Sequence, residues 1–112
     1  MGEEQTQEVD RHYAILTHDH PFFHWDLLLD VGEVAWTWRL LDEPSGESHP
    51  RAERIADHRR LYLNYEGPVS GNRGSVTRWD WGTYSIVEQN ADQITVQLRG
   101  TQGEWQVHLP RT

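Results

Sequence analysis

The sequence predicts a small all-β domain, a closed or partly closed β-barrel of about eight strands with long loops. Three observations predict it. Polar and apolar residues alternate with period two in many short runs, as on strands whose successive side chains point to opposite faces. Turn signals punctuate those runs at regular spacing: Val31-Gly32-Glu33, the glycine-rich Gly67 to Gly74, Trp81-Gly82, Asn90-Ala91-Asp92 and Gly100 to Gly103. No stretch carries a convincing long helical period, and 112 residues suffice for one domain with one modest core. Hydrophobic residues are only 36% of the chain, so six Trp, four Tyr and two Phe must supply much of the buried area.

Taken in order, residues 1–10 are polar and acidic and read as a disordered or frayed tail, leaving 11–112 as the domain. Arg11 to Thr17 is a first strand ending at His18, and Asp19 to Phe23 is a loop around Pro21. His24 to Asp30 alternates strictly and reads as a half-buried strand, with His24, Asp26 and Asp30 interleaved with Trp25, Leu27 and Leu29. Val34 to Leu40 follows, with Trp36, Trp38 and Leu40 on one face and Ala35, Thr37 and Arg39 on the other. Two aromatics on one strand face read as core before they read as a stacking platform. Asp42 to Arg51 is a Pro/Gly/Ser surface loop holding a solvated His49. Arg54 to His58 fits a short strand or a helical turn equally well. Leu61 to Glu66 alternates again, and the closing strands are Ser75–Asp80, Thr83–Gln89, Gln93–Arg99 and Trp105–Leu109.

Composition excludes several classes. Without cysteine there is no disulfide framework and no thiolate metal site, which fits a cytoplasmic protein. The N-terminal residues lack the basic start and apolar run of a signal peptide, and no stretch has the length of a membrane span. A net charge of −8 argues against binding nucleic acid by bulk phosphate attraction. The charge is uneven, however: six arginines between Arg51 and Arg78 face three acids, a local +3. Every basic residue is Arg and none is Lys, and a guanidinium fork suits selective contact with phosphate.

The chemistry concentrates in Thr17 to Asp30. On a strand, His24 and Asp26 share a face, which sets an imidazole beside a carboxylate. His18 lies six residues earlier, beyond the Pro21 break, and can complete a three-residue cluster from a neighbouring strand. Two imidazoles and a carboxylate with open positions suit a catalytic transition metal such as Mn, Fe or Zn. The plainer reading is a solvent-facing polar row, with His20 an ordinary loop histidine.

Four motifs in order resemble the 3'-phosphoesterase domain of bacterial DNA ligase D, which also exists as a free-standing protein. They are His18…His24-Trp25-Asp26; Asp57-His58…Tyr62; Tyr65-Glu66-Gly67; and the glycine-rich run that ends in Trp79-Asp80-Trp81-Gly82-Thr83-Tyr84. The resemblance covers residues 12 to about 88. It implies a small β-barrel with a manganese-type site at His18, His24 and Asp26, or a site for another divalent transition metal. It implies that His58 and Tyr62 contact the scissile phosphate and that Thr37 matches a small hydroxyl residue of the pocket. It also implies action on a DNA or RNA 3' end, removing a 3'-phosphate or a 3'-terminal ribonucleotide, with a DNA-repair ligase or polymerase acting in trans.

Two departures stand out. The family places an Arg two residues beyond the metal Asp, where this chain has Leu28, and a lysine-bearing loop after the third strand has no counterpart here. Arg39, Arg51, Arg54 and Arg60 are the candidates to replace that phosphate contact, with Arg54 and Arg60 taken as substrate-binding residues. Three functions follow: a metal-dependent phosphoesterase; a non-catalytic barrel module that binds metal, a phosphate ligand or a protein; and a purely structural polar cluster.

Overall fold

The computed structural model describes residues 11–46 and 49–112, so the expected tail at 1–10 lies outside the described residues. The described chain is all β apart from one 3-10 helix. Its strands are β1 (Arg11–His18), β2 (His24–Asp30), β3 (Ala35–Leu40), β4 (Ala52–His58), β5 (Gly67–Pro68), β6 (Ser75–Gln89), β7 (Gln93–Gly100) and β8 (Gly103–Pro110). They form one sheet in the order β4-β3-β2-β1-β6-β7-β8, with β5 paired to β6. Every pairing is antiparallel. The sheet curls until its two end strands, β4 and β8, lie against each other without pairing. The Trp38 indole N–H donates to the Pro110 carbonyl at 2.6 Å and ties β3 to the end of β8. The barrel is therefore partly closed.

Burial splits the sheet into two faces. Tyr13, Ile15, Leu27, Leu29, Trp38, Leu40, Tyr84 and the inward residues of β7 and β8 make the larger core. On the other face Ala14, Leu16, Leu28, Ala35, Val76 and Leu63 form a second, smaller cluster. Leu63 comes from the 3-10 helix Arg60–Asn64, which lies over the middle of that face. β2 is consequently buried on both sides, not half-buried, and its alternation marks two different interiors.

Two local expectations need correction, and one open choice is decided. Leu61 to Glu66 is not a strand: Arg60–Asn64 is the 3-10 helix, and Tyr62 and Tyr65 stack edge-on at 5.3 Å, the i, i+3 neighbours of that helix type. Arg54 to His58 resolves as part of strand β4. Trp81-Gly82 is no turn, because β6 runs unbroken from Ser75 to Gln89. Gly82 faces Gly100 across the β6–β7 ladder, and a Cβ on either would collide with its surroundings, at Gly100 with the Tyr13 hydroxyl. The bare Cα of Gly100 makes room for a buried bond in which the Tyr13 hydroxyl donates to Asp80 at 2.6 Å, and that of Gly82 lets the β7 backbone approach. The hairpins at Asn90–Asp92 and around Thr101–Gln102 are as expected.

Candidate metal centre

Register assembles the cluster. The five-residue loop from Asp19 to Phe23 returns the chain so that His24 on β2 pairs directly with His18 on β1. Asp26 lies two residues along on the same face. The ligand-capable atoms of His18, His24 and Asp26 all fall within 4.8 Å of one another, and the two imidazole centroids are 5.0 Å apart. His24 and Asp26 are almost fully buried, at 1% and 2% exposure, which removes the solvent-facing polar row.

Main-chain carbonyls set both rings. A carbonyl can only accept, so His24 Nδ1–H donates to Phe22 O at 2.8 Å and His18 Nε2–H donates to Arg73 O at 2.9 Å. In the neutral rings this leaves His24 Nε2 and His18 Nδ1 as bare acceptors. They face Asp26, Nε2 at 3.1 Å from Oδ1 and Nδ1 at 3.2 Å from Oδ2. His24 Nε2 and Asp26 Oδ1 are both buried without a hydrogen-bond partner. Lone pairs from three side chains thus converge on one point, an arrangement relieved by a proton or a cation. Without a metal the proton is favoured on His18: the hydrogen bond to Asp26 raises its pKa above 6.5, although partial burial opposes this. Burial alone would push Asp26 up, but its contacts with His18 and His24 outweigh burial and bring it down to about 2.

The cluster forms part of the wall of a cavity of about 390 Å³. His58 and Tyr62 also line it, their rings edge-on at 5.9 Å. His58 Nδ1–H donates to Ala56 O at 3.0 Å, which turns Nε2 free. β4 supplies His58 and the 3-10 helix supplies Tyr62, so that helix both covers the small core and carries a cavity residue.

Three residues expected in the pocket stand outside its lining. Thr37 is fully buried and its hydroxyl donates to Ala35 O at 3.0 Å. Arg54 is drawn to the opposite face by strand alternation, where its guanidinium sits 5.0 Å from the Trp38 ring centroid and bonds Thr37 O, Ile55 O and Asp57. Arg60 grips Asp30 through two bonds of 2.9 Å and lines a separate cavity beyond the 3-10 helix. Arg51 is exposed and held by Asp42. Of the four candidate arginines, Arg39 alone lines the cavity. Leu28 shares the face of Asp26 but is sealed in the small core with Leu63.

Arg73 is a site residue that sequence pattern alone does not single out. Its carbonyl fixes His18, and its own guanidinium is bound by Ser70. The signal that could have found it is the turn Gly71-Asn72-Arg73-Gly74, in which Gly71, Asn72 and Gly74 all have positive φ. A Cβ on Gly74 would collide with Asp19, whose carboxylate accepts from Ser75 N at 2.9 Å. Glycine there lets the turn approach the loop between β1 and β2 closely.

Fold and site together define a partly closed β-barrel with a His-His-Asp cluster in the wall of a cavity of mixed apolar and charged lining. The chain belongs to the DNA ligase D 3'-phosphoesterase domain family, whose model matches residues 16–111. No curated protein is similar enough to match it. Among the described residues no helix is long and apolar enough to cross a membrane.

Proposed function

We propose that this protein is a metal-dependent phosphoesterase that heals nucleic-acid 3' ends, removing a 3'-phosphate or a 3'-terminal ribonucleotide. One observation carries the metal: His18 Nδ1, His24 Nε2 and the Asp26 carboxylate present converging acceptors, two of whose atoms are buried without a hydrogen-bond partner. Nitrogen and oxygen donors of this kind, without thiolate, fit Mn or another divalent transition metal. When bound, such an ion supplies Lewis-acid polarisation of a phosphoryl oxygen and an acidic water.

The chain's own residues do the remaining work. Phe22 O and Arg73 O fix the two tautomers, so that both rings offer a lone pair without rearrangement. His58 has its free Nε2 available to hold or deliver a proton, and the Tyr62 hydroxyl is a donor for a phosphoryl oxygen. The overall reaction consumes water, breaks the bond between phosphorus and the 3' oxygen, and leaves a 3'-hydroxyl that a ligase or polymerase acting in trans can use.

The test is turnover on a primer–template bearing a 3'-phosphate or a single 3'-ribonucleotide, with Mn supplied and His24→Ala alongside. Product from the native protein and none from the variant is expected. No product from a native protein that binds Mn would leave a non-catalytic metal- and phosphate-binding module.

A further inference from the structure

We infer that Arg39, reaching the cavity from β3, is the group that grips the substrate phosphate; the inference rests on the phosphoesterase reading and names its anion contact. Arg39 pairs directly with Asp26 across the β2–β3 ladder, which places both side chains on the same face of the sheet. It lines the same cavity as His18, His24, His58 and Tyr62. Its Nε is buried and has no hydrogen-bond partner. Among the described residues no ion pair joins Arg39 to a carboxylate, even though Asp26 and Glu53 are its register partners on either side. Asp26 is taken by the two imidazoles.

A guanidinium Nε buried without an acceptor is costly unless a ligand completes it. The acceptor that suits a planar fork beside a cation-binding cluster is a tetrahedral oxyanion, a phosphate above all. Position is fixed from the other side by Phe22, whose ring centroid lies 5.5 Å from the Arg39 guanidinium carbon. The Phe22 carbonyl also holds His24, so one loop residue sets both a metal-cluster imidazole and the anion-binding cation. The other cavity arginines are differently placed: Arg73 is bound by Ser70, and Arg59 lies at the exposed rim.

The experiment is calorimetric titration with inorganic phosphate of the native protein, Arg39→Met, Arg39→Lys and Arg51→Ala, each with and without Mn. Arg39→Met keeps an apolar stem against Phe22, and Arg51→Ala removes one exposed charge as a control. Phosphate affinity should fall about tenfold or more in Arg39→Met, recover partly in Arg39→Lys and stay within about twofold in Arg51→Ala. Affinity in Arg39→Met within twofold of native, an equal loss in Arg51→Ala, or no phosphate binding by the native protein would each overturn the inference. The metal-free titration tests Arg39 even if the native protein takes up no Mn, so the two readings fail separately.

Discussion

His18 and His24 are held in opposite tautomers, one by Arg73 O and the other by Phe22 O, and this difference aims both bare nitrogens at Asp26. The pH behaviour follows from the resulting shifts. His18 is raised above 6.5, so its pairing with Asp26 stabilises the metal-free protein fully below 6.5 and ceases to do so as pH rises through the raised value. Asp26 is lowered from 3.8 to about 2, so its contribution is present above 3.8 and disappears as pH falls toward 2. The thermal midpoint of metal-free protein should therefore be highest between those limits and decline on both sides; a flat profile from pH 2 to 8 would show that the triad is uncoupled. Metal competes with the His18 proton, so Mn affinity should rise with pH through the neutral range and uptake should release protons. Leu28 gives a second test at this scale. It is fully buried in the small core with Leu63, so Leu28→Arg should cost about 3 kcal/mol, read as a lower urea midpoint, instead of restoring a phosphate contact. Undiminished stability with tighter phosphate binding would mean that the new guanidinium reaches the cavity.

Among the elements, β6 shows how a glycine signal can mislead. Trp81-Gly82 reads as a hairpin, but Gly82 lies inside β6 and faces Gly100 at the end of the β6–β7 ladder, where the bare Gly100 lets Tyr13 reach Asp80. Asp80 is fully buried and also accepts from the Thr101 hydroxyl at 2.8 Å and the Gln102 backbone N–H at 3.1 Å, which anchors the β7–β8 turn. Burial and the neighbouring carboxylate push the Tyr13 hydroxyl well above its ordinary pKa, so it remains a donor throughout the accessible pH range. Gly100→Ala should push into this bond and destabilise by about 1–3 kcal/mol in denaturant unfolding. A loss below about half a kcal/mol would indicate that the strands separate easily at this point. The 3-10 helix is the other element whose role exceeds its length. Its Leu63 covers the floor of the face, its Tyr62 lines the cavity beside the His-His-Asp cluster and its Arg60 turns the other way to Asp30.

Across the whole molecule, the arginine-rich segment does not form an open basic surface. Arg51 is paired with Asp42, Arg54 with Asp57 and Arg60 with Asp30, while Arg78 lies 4.3 Å over the Trp81 ring. With a net charge of −8, the proposed action on nucleic acid requires a few specific contacts and not a field. The expected salt dependence is correspondingly weak: log affinity for a 3'-phosphorylated duplex should fall against log salt with a slope of about −1 to −2. A slope several times steeper would require a basic track that internal pairing denies.

Much of this protein was legible in the sequence because it is local. Period-two alternation located most strands, the turns at Asn90–Asp92 and Gly100–Gly103 set two hairpins, and the spacing of His24 and Asp26 put them on one face. The short loop after His18 made a third member of the cluster reachable. Only the tertiary structure decided which arginine enters the cavity, because strand register sets Arg39 and Arg54 on opposite faces and Arg60 finds its partner in distant Asp30. The same holds for the sealing of Leu28, the bare tautomers of His18 and His24, and the continuity of β6. Periodicity assigns a side chain to a face, whereas charge state, hydrogen-bond direction and cavity access depend on residues brought there from distant parts of the chain.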